Sequence, residues 1–235
     1  MTQNPILCAL DTVDLDEAIG LGRMLKPHVG GLKLGMAFFY AHGPQGFQRI
    51  AETGLPIFLD LKLHDIPNTV AGGLRAVLPL KPFIVNVHAS GGVAMMQAAR
   101  KAVDEAGGAR PLVIGVTVLT SLDEDDLAQA GVQGSAGDQV RRLAANAQEA
   151  GLDGVVCSAH EIEALRRDCG PSFKLIVPGI RPAGADVGDQ KRIMTPVDAL
   201  SQGADFLVIG RPITEASNPA AAAAAIAADL QPVTG

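Results

Sequence analysis

The run Asp60-Leu61-Lys62-Leu63-His64-Asp65 places two carboxylates and an ammonium within six positions of an otherwise apolar stretch. In an extended chain the side chains alternate between faces, so Asp60 and Lys62 share one face while Leu59, Leu61 and Leu63 share the other. The leucines suit a packed outer surface, and the two charges then point inward, where an unpaired charge is very costly to desolvate. In Gly31-Leu32-Lys33-Leu34-Gly35 the same alternation turns Lys33 inward and its two leucines outward. Lys33, Asp60, Lys62 and Asp65 can therefore form an array of alternating charge. A purely structural ion-pair network is the alternative. A second lysine, inward by the same rule, and a second carboxylate close behind in the chain favour a catalytic centre, because mutually perturbed charges of this kind cluster at functional sites.

A second set of residues suits an anion. In Val208-Ile209-Gly210-Arg211-Pro212-Ile213-Thr214, Gly210 lets the backbone approach a ligand closely and Arg211 supplies a forked cation. The segment that follows can present N–H groups to a phosphate. Arg181 and Gln190 lie in the long irregular stretch 180–196 and add donors, and a stretch of that kind reads as a lid that closes over a bound phosphate. His64 and His88 have no partner at metal-ligand spacing and read as structural. Cys8, Cys157 and Cys169 lack Cys-x-x-Cys spacing and read as buried thiols in a reducing compartment.

Positioning such residues falls to eight short apolar runs, at 5–11, 29–35, 56–62, 83–89, 111–119, 153–159, 173–179 and 205–211. Between them lie stretches of helical periodicity, such as the segment that follows Asp11 and the one that starts at Pro67. Strict alternation of strand and helix implies parallel strands joined by helical crossovers. Eight units point to a (β/α)8 TIM barrel, expected as one catalytic domain over 1–235. A doubly wound open sheet is the alternative, but no Gly-x-Gly-x-x-Gly turn follows the first strand. Barrel sites form at the carboxyl ends of the strands, where Asp11, Lys33, Asp60, Lys62, Asn86, His88, Gly210 and Arg211 all fall. The alanine-rich segment near the C-terminus reads as a closing barrel helix.

The net charge of −6 argues against a nucleic-acid surface, and 3% aromatics without Trp argue against base-stacking platforms. No run approaches the roughly 18 apolar residues of a membrane span, and the N-terminus has no signal-peptide pattern. A cytoplasmic enzyme is expected.

Taken in chain order, Lys33 in GLKLG, the run DLKLHDIPNT, Thr120 in VLTS, the pair VPGIRP and DQKR, and VIGRPIT resemble the orotidine 5′-phosphate decarboxylase family. The resemblance implies cofactor-free decarboxylation of orotidine 5′-phosphate to UMP, with no metal. It implies that Lys62 donates the proton to C6 and that Asp60 lies beside the substrate carboxylate. Lys33 and Asp11 would reach the ribose, Thr120 the pyrimidine edge, and Arg181, Gln190, Gly210 and Arg211 the phosphate. It further implies a homodimer in which Asp65 and Thr69 enter the neighbouring subunit's site. Mg²⁺-dependent barrel relatives, such as 3-keto-gulonate-6-phosphate decarboxylase, carry an acidic ligand where Lys33 stands. A non-catalytic nucleotide sensor would not require the charge array.

Overall fold

The computed structural model of the chain describes residues 4–182 and 194–230. Eight parallel strands follow one another around a closed barrel. They are β1 (Ile6–Leu10), β2 (Gly31–Gly35), β3 (Ile57–Leu63), β4 (Ile84–His88), β5 (Leu112–Val116), β6 (Gly154–Val156), β7 (Lys174–Val177) and β8 (Phe206–Ile209). Among the described residues the helices are α1 (Leu15–Leu25), α2 (Met36–Ala51), α3 (Pro67–Val77), α4 (Val93–Glu105), α5 (Glu124–Gln129), α6 (Ala136–Glu149), α7 (Ile162–Cys169), α8 (Pro196–Ser201), α9 (Arg211–Thr214) and α10 (Pro219–Asp229). The expected (β/α)8 barrel is the fold observed, and each apolar run marks one strand, β3 reaching one residue past its run. The short helices α5 and α9 are additions to the simple repeat.

Alternation along the strands divides the core in two. Ile6, Cys8 and Leu10 of β1 join the large cluster against the helices, whereas Leu7 and Ala9 join Phe58, Ile84, Ile114, Ile176 and Val208 inside the barrel. Phe83 and Phe206 meet edge to face, 5.8 Å between centroids, below that inner layer. Helix starts are fixed locally: Asp14 accepts from the Glu17 N–H at α1, and a Ser135–Asp138 capping box opens α6.

Charges at the amino ends of the strands are structural. Asp153, just ahead of β6, accepts from the Val113 N–H of β5 (2.8 Å) and from Arg100 and Arg110. Asp205, just ahead of β8, accepts from the Leu175 N–H of β7 (2.9 Å) and binds Arg166 and Lys174. Each aspartate thus staples two neighbouring strands at the end of the barrel that carries stability rather than chemistry.

Candidate active site

At the carboxyl ends, polar side chains replace the apolar layer. Lys33 follows Gly31 on the inner face of β2, Asp60 follows Phe58 on β3, and Asn86 follows Ile84 on β4. All three are buried. Asp11, one residue beyond β1, accepts from Lys33 Nζ at 3.3 Å. Lys33 Nζ lies 3.4 Å from Asp60 Oδ2, and Lys62 Nζ donates to Asp60 Oδ1 at 2.7 Å. Asp11, Lys33, Asp60 and Lys62 therefore form a continuous chain of alternating sign.

Simple strand alternation does not account for Lys62. Leu59 is paired with Val85, but the next pair is Leu63 with Val87, so β3 spends four steps where β4 spends two. The surplus forms a bulge, and within it Lys62 adopts a left-handed backbone (φ 52°). For a residue with a side chain that conformation costs about 1–2 kcal/mol. Because the surplus is even, Leu61 and Leu63 still face the outer core and Lys62 still turns inward. The Lys62 N–H donates to the side-chain Oδ1 of Asn86 (2.8 Å), and Asn86 Nδ2 donates to Asp60 Oδ1 (2.7 Å). Asn86, the residue that sequence reasoning left without a role, joins the cluster at its centre. Its signal was a lone amide inside the apolar run FIVNVHA, on the inward face with Ile84.

Burial alone would raise the Asp60 carboxyl. The ammonium of Lys33, then that of Lys62, and hydrogen bonds from Lys62 and Asn86 more than offset burial and hold it below the ordinary carboxylate range. A carboxyl depressed in the folded state contributes stability that is complete above its unfolded value, about 3.9, and is lost as pH falls through its lower folded value. Acid unfolding of wild type and Asp60→Asn should therefore show a constant stability difference above about pH 4. Below it, wild type should lose ground relative to the variant, and a difference that stays constant down to pH 2 would contradict an ionised, paired Asp60.

The cluster closes one end of a cavity of about 160 Å³. Its walls are apolar, formed by Phe58, Val116, Val118, Leu119, Val156, Pro178 and Val208, with Cys157 and Thr120 completing the lining. A cavity of this size, apolar in its walls and charged at one end, has room for a small ring with polar edges. At the rim, Gly210 lies against β1: a Cβ there would stand 3.4 Å from Ala9 Cβ and 3.6 Å from Asp11 Oδ2. Arg211 follows Gly210 directly and opens α9. Arg181 is buried beyond β7, its backbone N–H bonded to the Met194 carbonyl and its Nη1 to the Ile180 carbonyl. Gln190, with residues 183–193 of the expected lid, lies outside the described residues.

Asp65 stands apart from the cluster. It is exposed after β3, with Oδ1 accepting from the Ile66 N–H, and Thr69 is exposed in the first turn of α3. The four-membered array expected from Lys33, Asp60, Lys62 and Asp65 is thus completed within one chain by Asp11 instead. His64 and His88 lie 5.5 Å apart by ring centroids, and burial, followed by the charges of His64 and Lys62, pushes the His88 imidazole down. All three cysteines are buried free thiols, and burial, chiefly, pushes Cys8 up to about 12.

A closed eight-stranded barrel with a lysine–carboxylate chain at its carboxyl-end mouth has the architecture of a (β/α)8 enzyme with its candidate site where barrel active sites form. The orotidine 5′-phosphate decarboxylase / HUMPS family model matches residues 4–226. The chain is 54% identical to the orotidine 5′-phosphate decarboxylase of Rhodospirillum rubrum, covering 98% of this chain and 95% of that protein. It is 56% identical to the one from Novosphingobium aromaticivorans, covering 97% and 99%. The crystal structure of orotidine 5′-phosphate decarboxylase from Lactobacillus acidophilus superposes with a TM-score of 0.85 at 36% identity, over 98% of this chain and all of that one. The chain belongs to the orotidine 5′-phosphate decarboxylase family, and by that membership it is a carboxy-lyase.

Proposed function

We propose that the site converts orotidine 5′-phosphate to UMP and CO2, with Lys62 as the proton donor to C6. The activity and its place in pyrimidine biosynthesis are those of the family, and the residue roles are those the family resemblance implies. The observation that carries the proposal is the Lys62 ammonium held 2.7 Å from Asp60 at the charged end of an apolar cavity.

Breaking the C6–carboxylate bond releases CO2 and leaves its electron pair in the ring plane at C6, where no adjacent carbonyl can absorb it. A preorganised cation is the available stabiliser. Lys62 supplies that charge, then its N–H bond breaks as the C6–H bond forms, and the neutral amine regains a proton from water. Asp60 sets a like charge beside the substrate carboxylate. Lys33 and Asp11 reach the ribose, Thr120 the pyrimidine edge, and Arg181, Gln190, Gly210 and Arg211 the phosphate. Binding energy gathered at the phosphate, remote from C6, is available to orient the ring. No cofactor enters this scheme, and the ammonium of Lys33, 3.4 Å from Asp60, disfavours a divalent cation there.

The working unit is a homodimer in which Asp65 and Thr69 enter the neighbouring site. Supporting it, Val13, Met36, Tyr40 and Ile66 are exposed large apolar side chains in the segments that follow β1, β2 and β3, and Ile66 is the chain neighbour of Asp65. Its place is the cytoplasm, in keeping with buried free thiols; among the described residues no helix is long and apolar enough to cross a membrane. Adding orotidine 5′-phosphate to the metal-free chain should give steady loss of the substrate's pyrimidine absorbance, unchanged by EDTA. Absence of decay would overturn the reading, and EDTA-sensitive decay would replace it with a metal-dependent one.

A further inference from the structure

We propose that Asn86 is the positioning residue for the proton donor, locking both the backbone of Lys62 and the carboxylate on which its ammonium rests. This inference rests on the assignment of Lys62 as proton donor.

The argument begins with the bulge. Where β3 departs from β4, the backbone N–H groups of β3 lose their regular ladder partners, and a buried N–H without an acceptor is costly. Lys62 is the residue that turns into the left-handed region there, a conformation that persists only where the surroundings impose it. Asn86 imposes it from the neighbouring strand. The residue is 1% exposed, its side chain reaches into the bulge, and Oδ1 takes the Lys62 N–H at 2.8 Å. The other end of the same amide, Nδ2, holds Asp60 Oδ1 at 2.7 Å, the oxygen that also receives Lys62 Nζ.

One planar amide therefore fixes the lysine at both extremities. Through Oδ1 it sets where the side chain starts, and through Asp60 it sets where the ammonium ends. Only a side chain with an acceptor and a donor on one rigid group can do both. Without it, Lys62 can relax toward an ordinary extended backbone and Asp60 can rotate about its own side-chain bonds. Either movement shifts Nζ relative to the substrate's C6, and misplacement of this size is expensive in the chemical step and nearly free in binding. Asn86 lies apart from the rim residues assigned to the phosphate, so substrate capture does not depend on it.

The test separates kcat from KM in Asn86→Ala, with UMP binding and near-UV circular dichroism measured on the same samples. Expected is a fall in kcat per folded site of about 10²–10³-fold, with KM and UMP affinity within about threefold of wild type. A kcat per folded site close to wild type, with lost activity tracking lost folded protein, would reduce Asn86 to a structural role and overturn the proposal. Asn86→Asp serves where the alanine variant does not fold. The introduced carboxyl keeps the acceptor for the Lys62 N–H and, once protonated, regains a donor for Asp60. It would sit among Asp60 and Lys62 of β3, Lys33 of β2 and His88 of its own strand. Its kcat should therefore be low at neutral pH and climb as pH falls, whereas a profile with the shape of the wild-type one would count against the proposal. Lys62→Ala, assayed in parallel, distinguishes the two levels. Retained turnover there removes the proton-donor assignment itself, while a dead Lys62→Ala beside a fully active Asn86→Ala removes this inference alone.

Discussion

Lys62→Ala is expected to lower kcat by about 10⁴-fold while UMP binds nearly as before. Two losses coincide in one side chain. The cation that stabilises the electron pair at C6 disappears, and so does the acid that quenches it. Binding survives because the phosphate, ribose and pyrimidine contacts are assigned to other residues at the rim and wall. Removing the ammonium also leaves Asp60 with Lys33 as its remaining close cation, so the folded chain keeps one ion pair rather than none. Single-turnover measurement of substrate loss, with UMP titration alongside, checks the result. A variant that turns over at the normal rate would refute the role assigned to Lys62.

The second large effect is expected from mixing subunits. If Asp65 completes the charge array of the neighbouring site, Asp65→Ala should reduce turnover by on the order of 10²–10³-fold, as the loss of one preorganised charge does. If Asp65 serves the neighbouring site, Lys62→Ala and Asp65→Ala chains are each nearly dead alone yet complement one another. In a mixed dimer, one site pairs an intact Lys62 with an intact Asp65 from the other chain, and the second site lacks both. Free exchange at equal amounts then restores about a quarter of the sites, since half of the dimers are mixed and each has one sound site. Activity measured after co-refolding should approach that fraction. A mixture no more active than its components would place Asp65 in its own chain's site or outside catalysis.

Much of this was legible in the residues. Apolar runs marked every strand, and alternation correctly turned Lys33, Asp60 and Lys62 toward one another. It did so for an incomplete reason at Lys62. The bulge belongs to the pairing of β3 with β4, and the sequence carries no glycine at the left-handed position to announce it. Asn86 was visible as a polar residue in an apolar run, but its meaning depends on that register, which no single strand encodes. Asp65 shows the converse. Spacing alone put it with the lysines, whereas the chain turns after Leu63 and carries it onto the outer rim. Run lengths also overshot in places: the stretch 153–159 yields a strand of only three residues, because Ser158 already caps the helical turn that follows.

The barrel closes by joining its first strand to its last, with Ile6 opposite Leu207 and Cys8 opposite Ile209. During synthesis those partners are separated by nearly the whole chain, so β1 waits with an open edge until β8 has been made. Pairing over such separation is slow and comes late in folding. Asp11 and Gly210 become neighbours only at that moment. A nascent chain can hold Lys33, Asp60, Lys62 and Asn86 on consecutive strands and still lack the seam beside Arg211. Among the residues assigned to the substrate, Gly210 and Arg211 are the last to be made, so a chain stopped short of β8 lacks that part of the assigned grip.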